Sequence, residues 1–422
     1  KGADVQILGT SVDGIDEASD RERFETFAKK HGLRMPNGAT GTTADDIRKA
    51  VDSIGFPVLI RPSYVLGGRG MEILSNETQL EAYLKEAYLA PDKPLLVDEY
   101  LGHATELDVD AAGDGKEVLV GAIMEHLEEA GIHSGDSTCF IPAQNISEEM
   151  LTRVAEQTKT IGLGLNIKGC FNIQFAIQGD DLYVLEVNPR SSRTVPFVAK
   201  SSGLPLAKIA ANITIGIPLS DQTIPKRTSG QICVKAPVFP FIKLRGLDPA
   251  PGPEMKSTGE VYGSDTSADV AYLKARLATE VPVASSGGVY LTVRDEDKGA
   301  LVPIAEELCD LGFTLFATPG TADVLRSSNV EVTTVYRINE RKHPDALDLM
   351  RRGDISFIVN VPTVSGGAVR DGNMMRRLAV ELNIPFVTTI RGARMETAAI
   401  RALIEKDIVP RKLEVHYDSK FL

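Results

Sequence analysis

Alternation of apolar and polar positions is sharpest between Phe171 and Asn188, where two apolar runs flank Gln178-Gly179-Asp180-Asp181. This pattern predicts a β-hairpin with a loop of three to five residues. On the first strand Phe171, Ile173, Phe175 and Ile177 take one face, and Asn172, Gln174 and Ala176 the other. On the second, Tyr183, Leu185 and Val187 share a face opposite Val184, Glu186 and Asn188. A register that sets Gln174 against Glu186 also sets Asn172 against Asn188. One face is then core, and the other gathers amides and a carboxylate. Pro189 ends the strand, and a helical turn after it would aim Arg190 and Arg193 at one spot.

The rest of the chain falls into elements around this hairpin. Residues 3–10 read as a strand running into a glycine turn. Asp20 caps a helix to about Lys30 with Phe24, Phe27 and Ala28 on one face, and Thr43 starts another through Ile54. Short strands after Phe56 and at Glu72–Leu74 bracket a loop with Gly67, Gly68 and Gly70, whose backbone can approach phosphates, and Arg61 lies within reach. A helix at Glu77–Leu89 and an apolar strand at 94–101 follow. Glu106, Asp108 and Asp110 then share one strand face, and a solvated face is the simplest account of the two aspartates. Gly121–Asp136 reads as a strand and a polar loop holding His133 and Ser134. Met150–Leu163 is an amphipathic helix, and another begins near Pro196. Residues 216–230 mark a seam, and 231–284, rich in proline, read as irregular strands and turns forming a lid or connector.

From Ser285 strands alternate with helices through Thr389, the mark of a small parallel α/β domain. Ligands of such a domain sit at the carboxyl ends of its strands, here the loops 317–321, 360–363 and 388–391.

Composition narrows the chemistry. At 422 residues the chain holds two or three domains, and a net charge of −12 argues against nucleic acid as a general partner. No run approaches the ~18 apolar residues of a membrane span. Cys139, Cys170, Cys233 and Cys309 are scattered, which fits reduced thiols in a cytoplasmic setting and does not fit a zinc site. Starting at Lys1 with neither Met nor leader, the chain reads as a piece of a longer one. Oxygen ligands on a rigid sheet are what Mg²⁺ on nucleotide phosphates requires, and two nearby guanidinium groups suit a moving phosphoryl group or an anionic acceptor.

Together the stretches Asp20–Phe24, Arg61–Tyr64 with the glycine loop, Glu106–Asp110, Gly131–Ser137, Asn172–Phe175, Glu186–Arg190 and Arg193–Phe197, continued by Pro253–Met255 and Ser257–Val261, resemble the C-terminal half of the carbamoyl-phosphate synthase large subunit. The resemblance implies an α+β ATP-grasp domain followed by an α/β methylglyoxal-synthase-like regulatory domain. The expected boundaries are 1–19 (end of a truncated preceding subdomain), 20–220, 221–284 (connector) and 285–422. The implied reaction is phosphorylation of carbamate by ATP with Mg²⁺ or Mn²⁺. Gln174, Glu186 and Asn188 match the metal ligands. Arg61 matches a phosphate contact and Arg21 a further nucleotide contact. Glu99 and Leu101 fall at the adenine hinge, Glu106 at the ribose, and Gly131, Ile132, His133 and Ser134 along the nucleotide. Asn172, Asn188, Arg190 and Arg193 would face carbamate. Lys298, Thr318, Thr321, Arg337 and Asn360 match a nucleotide-effector site, with Pro362 where threonine is usual. Glu128 and Asp136 match ornithine-linked positions, with Ala236 where a further carboxylate is usual. Implied partners are the missing N-terminal half and a glutamine amidotransferase small subunit, and the product serves arginine or pyrimidine biosynthesis. The alternatives are a regulatory module inactive without the N-terminal half, and another ATP-grasp carboxylate ligase.

Overall fold

The computed structural model describes residues 7–62, 68–86, 94–225, 230–244, 246–362 and 367–410. It divides into two compact units, one of residues up to 233 with Pro253–Met255, the other of residues 234–252 and 256–410.

The first unit opens with α1 (Val12–Ser19) and α2 (Arg21–Lys30), capped by the side chains of Ser11 and Asp20. Phe24, Phe27 and Ala28 are buried, as their spacing predicts. Helix α1 escapes the periodicity because its two large apolar residues, Val12 and Ile15, are both exposed. Ile7–Thr10, the described part of the predicted first strand, form no strand. A small antiparallel sheet follows, built from β1 (Gly38–Gly41), β2 (Val58–Pro62), β3 (Glu72–Leu74) and β4 (Leu95–Glu99) in the order β1-β4-β2-β3. Helices α3 (Ala44–Ile54), started by a Thr43–Asp46 capping box, and α4 (Glu77–Glu86) lie between its strands in sequence. Ile47, Val51, Ile60, Leu74, Leu80 and Val97 make its core.

The larger sheet carries β5 (Thr105–Asp114), β6 (Val118–Glu129), β7 (Cys139–Ile141), β8 (Lys168–Gln178) and β9 (Asp181–Asn188) in the order β7-β6-β5-β8-β9, all antiparallel. Helix α5 (Glu148–Gly164) supplies Met150, Val154 and Ile161 to a core shared with Phe171, Ile173 and Phe175. Helices α6 (Val195–Ser202) and α7 (Leu206–Thr214) complete this part.

Strands β8 and β9 pair as their alternation predicts at Asn172↔Asn188 and Gln174↔Glu186, and differ from it in two ways. The turn has only two residues, because Gln178 pairs with Asp181 and Gly179 takes φ 60°. A bulge also follows, since Phe175 pairs with Val184 and Leu185 is left over. Residues before the bulge therefore change faces. Leu182 and Val184 join the core, while Tyr183 and Leu185 turn to the other side with Leu101, Ala104, Ala130 and Ala176. A strict period of two cannot register one extra residue.

The second unit begins within β10 (Ile232–Val238) and continues through β11 (Gly259–Asp265) and α8 (Ala268–Ala278). Residues 259–278 are thus a regular strand and helix and not the irregular strands and turns read from their proline-rich surroundings. Next come β12 (Gly288–Thr292), α9 (Lys298–Asp310), β13 (Thr314–Ala317), α10 (Pro319–Ser327), β14 (Thr333–Thr334), α11 (Ala346–Arg352), β15 (Ile355–Asn360), α12 (Gly367–Glu381), β16 (Phe386–Val387) and α13 (Ile390–Glu405). The strands form a parallel sheet in the order β14-β13-β12-β15-β16, with an apolar core on each face. Helix α13, which the strand–helix count missed, is capped by Thr389 and receives α8. Between them the buried Glu396 accepts from Tyr272 Oη (2.7 Å) and Arg276 Nε (3.0 Å).

Candidate active site

The polar face of the hairpin is where the proposed metal ligands meet. Gln174 and Glu186 sit opposite each other, and Asn188 lies two residues further along the same strand. Gln174 Nε2 donates to Ser134 Oγ at 3.0 Å, an arrangement that leaves its amide oxygen to accept. Glu186 is exposed and has no hydrogen bond or ion pair among the described residues. An uncompensated carboxylate beside two amide oxygens is a hard donor set of the kind Mg²⁺ takes. Asn188 Oδ1 accepts from Arg190 Nη2 at 3.1 Å.

The turn after Pro189 is not helical, so the guanidinium groups do not converge by helical spacing. Arg190 folds back on its own turn, donating to Asn188 and to the Ser191 carbonyl (3.2 Å). Arg193 Nη1 approaches Met255 Sδ at 3.0 Å. A Cβ at Gly135 would stand 3.1 Å from that same nitrogen, so Arg193 lies over the 131–137 loop. Both arginines are exposed.

Beneath this face is a buried polar chain that the sequence reading took for a solvated surface. Asp108 and Asp110 are 1% and 0% exposed. They sit on β5, directly across from Gln174 and Asn172, in the middle of the sheet where water cannot reach. Asp110 accepts from Thr194 Oγ1 (2.6 Å), Ser192 Oγ (2.8 Å) and Asn172 Nδ2 (3.0 Å). Burial pushes its pKa up to about 6 against those three bonds. Asp108 lies 3.2 Å from His126 Nε2, and Glu106 lies 3.5 Å from His126 Nδ1. Burial alone would lower the His126 pKa, but Cys139, Asp108 and Glu106 outweigh it and raise it well above the usual imidazole range. Glu106 in turn accepts from the Gly131 N–H at 2.9 Å.

In the smaller sheet, Arg21 and Arg61 both bind one buried carboxylate, Asp98. Arg21 also donates to the Pro36 carbonyl at 3.1 Å, and Arg61 donates through Nε to Asp98 at 3.3 Å. Among the described residues the Arg61 terminal nitrogens have no hydrogen bond, whereas Arg21 is largely consumed by structure. Asn37 Nδ2 holds Glu99 at 2.7 Å. Leu101 is buried, Ile132 half-buried, and His133 Nδ1 accepts from the Gly135 N–H at 3.0 Å. Burial chiefly lowers the His133 pKa, which keeps that ring neutral and able to accept. Gly131 has φ 87°, and a Cβ there would meet the Tyr100 ring at 2.7 Å, so any side chain at this position is strained. Residues 64–67 of the glycine loop lie outside the described residues. At Gly68 a Cβ would stand 2.0 Å from the Pro253 carbonyl, which places the segment bearing Met255 against this loop.

Asp98, His126, Ser192 and Thr194 were not singled out from sequence. Only Asp98 carried a signal, an acidic residue ending an apolar strand. The other three are ordinary polar residues whose roles depend on strand order.

In the second unit, Lys298, Thr318, Thr321, Arg337 and Asn360 lie at or just beyond the carboxyl edge of the parallel sheet. Thr318 stands at the start of α10, its Oγ1 3.3 Å from that of the buried Thr321. Lys298 Nζ binds Asp295 at 2.5 Å and would sit 2.9 Å from a Cβ on Gly320. The hydrogen bond from Lys298, helped by Arg337 nearby, lowers the Asp295 pKa. Asn360 is buried and its Oδ1 accepts from Arg376, which also forks onto Asp248 through Nε (2.8 Å) and Nη2 (2.5 Å). Thr363 lies outside the described residues. Glu128 accepts from the Thr138 N–H at 2.6 Å and Asp136 is buried. All four cysteines are free, and among the described residues no helix is long and apolar enough to cross a membrane. His343, Asp345 and Asp348 form an acidic cluster, but both aspartates are committed to the capping box of α11.

Residues 20–222 match the family described as carbamoyl-phosphate synthase L chain, ATP binding domain, and residues 300–388 match the MGS-like domain. The carbamoyl phosphate synthase large chain of Methanosarcina acetivorans is 47% identical over 406 residues, covering 95% of this chain and 37% of that one. The "large chain, C-terminal section" of Methanocaldococcus jannaschii is 45% identical over 416 residues, covering 96% of this chain and 67% of that protein. The chain thus spans about two fifths of the length of the undivided large chains it matches. Among solved structures, N5-carboxyaminoimidazole synthase of Aspergillus clavatus superposes with a TM-score of 0.53 at 16% identity, over 66% of this chain and 76% of that one. The biotin carboxylase domain of Hydrogenobacter thermophilus 2-oxoglutarate carboxylase gives 0.52 at 18%, over 64% and 67%. These distant likenesses establish an ATP-grasp fold. With two thirds of the M. jannaschii C-terminal section matched at this identity, the chain belongs to the carbamoyl phosphate synthase large-chain family, of which it represents the C-terminal half.

Proposed function

We propose that this chain phosphorylates carbamate with ATP to give carbamoyl phosphate, the second phosphorylation of carbamoyl-phosphate synthesis. The observation that carries this reading is the pairing of Gln174 with Glu186 on one sheet face, with Asn188 and the Arg190–Arg193 turn at its end. Carbamate is already an anion, so no general base is required. A carbamate oxygen forms a bond to the γ-phosphorus while the bond to the β–γ bridging oxygen breaks and ADP leaves. Mg²⁺ or Mn²⁺ held by Gln174, Glu186 and Asn188 would neutralise phosphate charge. Arg61 contributes a cation to the nucleotide phosphates, and Glu106 with the Gly131–Ser134 loop lies along the nucleoside. Asn172, Arg190 and Arg193 orient the acceptor and meet charge developing on the moving phosphoryl group. A labile acceptor needs a dry site, and Gly68 against Pro253 with Met255 at Arg193 supplies part of that closure.

An N-terminal half of the kind present in the undivided relatives and a glutamine amidotransferase subunit would deliver carbamate. In the second unit, Lys298, Thr318 and Arg337 at the sheet edge support a nucleotide-type anionic effector site, with the Asn360 amide already tied to Arg376.

The test is the back reaction, ATP formed from ADP, Mg²⁺ and carbamoyl phosphate. Glu186→Gln should lower it by about 10²–10³-fold. A wild-type chain that forms no ATP yet still binds an effector nucleotide would instead favour a purely regulatory module.

A further inference from the structure

The two hydroxyls flanking Arg193, those of Ser192 and Thr194, both donate to the same buried carboxylate, Asp110, at 2.8 and 2.6 Å. They also lie 2.9 Å from each other, and the Thr194 N–H donates to Ser192 Oγ at 3.2 Å. Asp110 belongs to β5, one strand inside the hairpin, and Asn172 opposite it on β8 supplies a third donor at 3.0 Å. The residues that carry Arg193 are therefore pinned to the middle of the sheet, while its side chain and that of Arg190 remain exposed. A surface turn could be shaped by its own backbone bonds, without burying a carboxylate at 0% exposure. Burying one there is costly unless every donor is supplied, and here the turn itself supplies two of them. The arrangement does not stop at Asp110. Asn172 Nδ2 also reaches Asp108 at 3.4 Å, and through His126 and Glu106 the chain of contacts ends at the Gly131 N–H, on the loop proposed to follow the nucleotide.

From this geometry we infer that Asp110 is a positioning residue for phosphoryl transfer: it clamps Ser192 and Thr194 so that the turn presents Arg193 to the acceptor. The inference rests on the carbamate-kinase reading above. It touches neither substrate nor nucleotide, so its loss should reduce turnover and spare nucleotide affinity. Misplacing a reacting group by about 1 Å from a remote site can cost about 10²-fold.

The experiment measures ATP formation from ADP, Mg²⁺ and carbamoyl phosphate by the chain. Asp110→Asn, the pair Ser192→Ala with Thr194→Val, Arg193→Ala and their combinations are compared. The expected result is a fall in kcat of about 10- to 100-fold for Asp110→Asn, with the KM for ADP within about threefold of wild type. In the Arg193→Ala background the same substitution should cost less than about threefold, because the group it positions is already gone. Should Asp110→Asn fail to fold, the Ser192→Ala/Thr194→Val pair breaks the same clamp from the side of the turn and decides the matter. Unchanged kcat in the clamp variants, or losses that multiply fully with Arg193→Ala, would overturn the inference. If Arg190→Ala and Arg193→Ala themselves leave turnover intact, it is the kinase reading that fails.

Discussion

Two sheets in this chain handle buried charge in opposite ways. In the second unit Arg376 is 2% exposed and is spent wholly on structure, forked onto Asp248 and bonded to Asn360. Its partner is held below the usual carboxylate range against the pull of burial, so the pair is a closed account of charge. In the first unit Asp108 and Asp110 are buried, Asp108 against His126, while Arg190 and Arg193 are exposed. On the reading proposed above, this buried negative charge lies beside the strands that would hold a metal ion, and the exposed arginines lie where an anionic acceptor would bind. The parallel sheet, apolar on both faces, can put chemistry only at its strand ends. The antiparallel sheet can put it in mid-strand.

Breaking the closed pair should have the largest effect. Arg376→Ala leaves a partly buried Asp248 without its partner and should lower the stability of the second unit by about 3 kcal/mol, measured by denaturant unfolding. A loss below about 1 kcal/mol would mean the pair is not structural. On the other sheet, Arg190→Ala and Arg193→Ala should each remove ~2–4 kcal/mol of transition-state stabilisation with ADP affinity largely kept. Loss of nucleotide affinity alone would contradict the roles given to them. The buried charge has its own signature. Asp110 keeps its proton to about pH 6, against 3.8 for an ordinary aspartate, so across that window the folded state binds the extra proton. Stability should therefore fall as pH rises from 4 to 6, by on the order of 2 kcal/mol, and Asp110→Asn should flatten that slope. The smallest effect is at His343, whose pKa is raised by its 2.5 Å contact with Asp348. That stabilisation is complete below the unfolded imidazole pKa and is lost as pH rises through the folded one. His343→Gln should therefore matter only under acidic conditions, and an equal effect at pH 9 would refute the pairing.

The same contrast explains what could be read from the chain. The Gln174–Glu186 and Asn172–Asn188 pairings were legible because alternation fixes register wherever one face is core. The bulge at Leu185 was not, since one extra residue leaves no mark in composition, and it is what turns Tyr183 and Leu185 toward Leu101. Burial of Asp108 and Asp110 was illegible for a different reason. Three alternating carboxylates look the same whether their face meets water or a neighbouring turn, and only the strand order β6-β5-β8 and the returning Ser192–Thr194 hydroxyls distinguish the two. In the second unit the strand–helix alternation gave the parallel sheet directly. Helix α8 was hidden between proline-rich segments, and α13 lay beyond the last strand.

The central claim is that Gln174, Glu186 and Asn188 hold a divalent ion against a nucleotide. Mn²⁺ titrated into the chain with ADP, followed by electron paramagnetic resonance, tests it most directly. The account expects tight, ADP-dependent Mn²⁺ binding that Glu186→Gln abolishes while ADP binding persists. Mn²⁺ binding of equal strength in wild type and Glu186→Gln would contradict it.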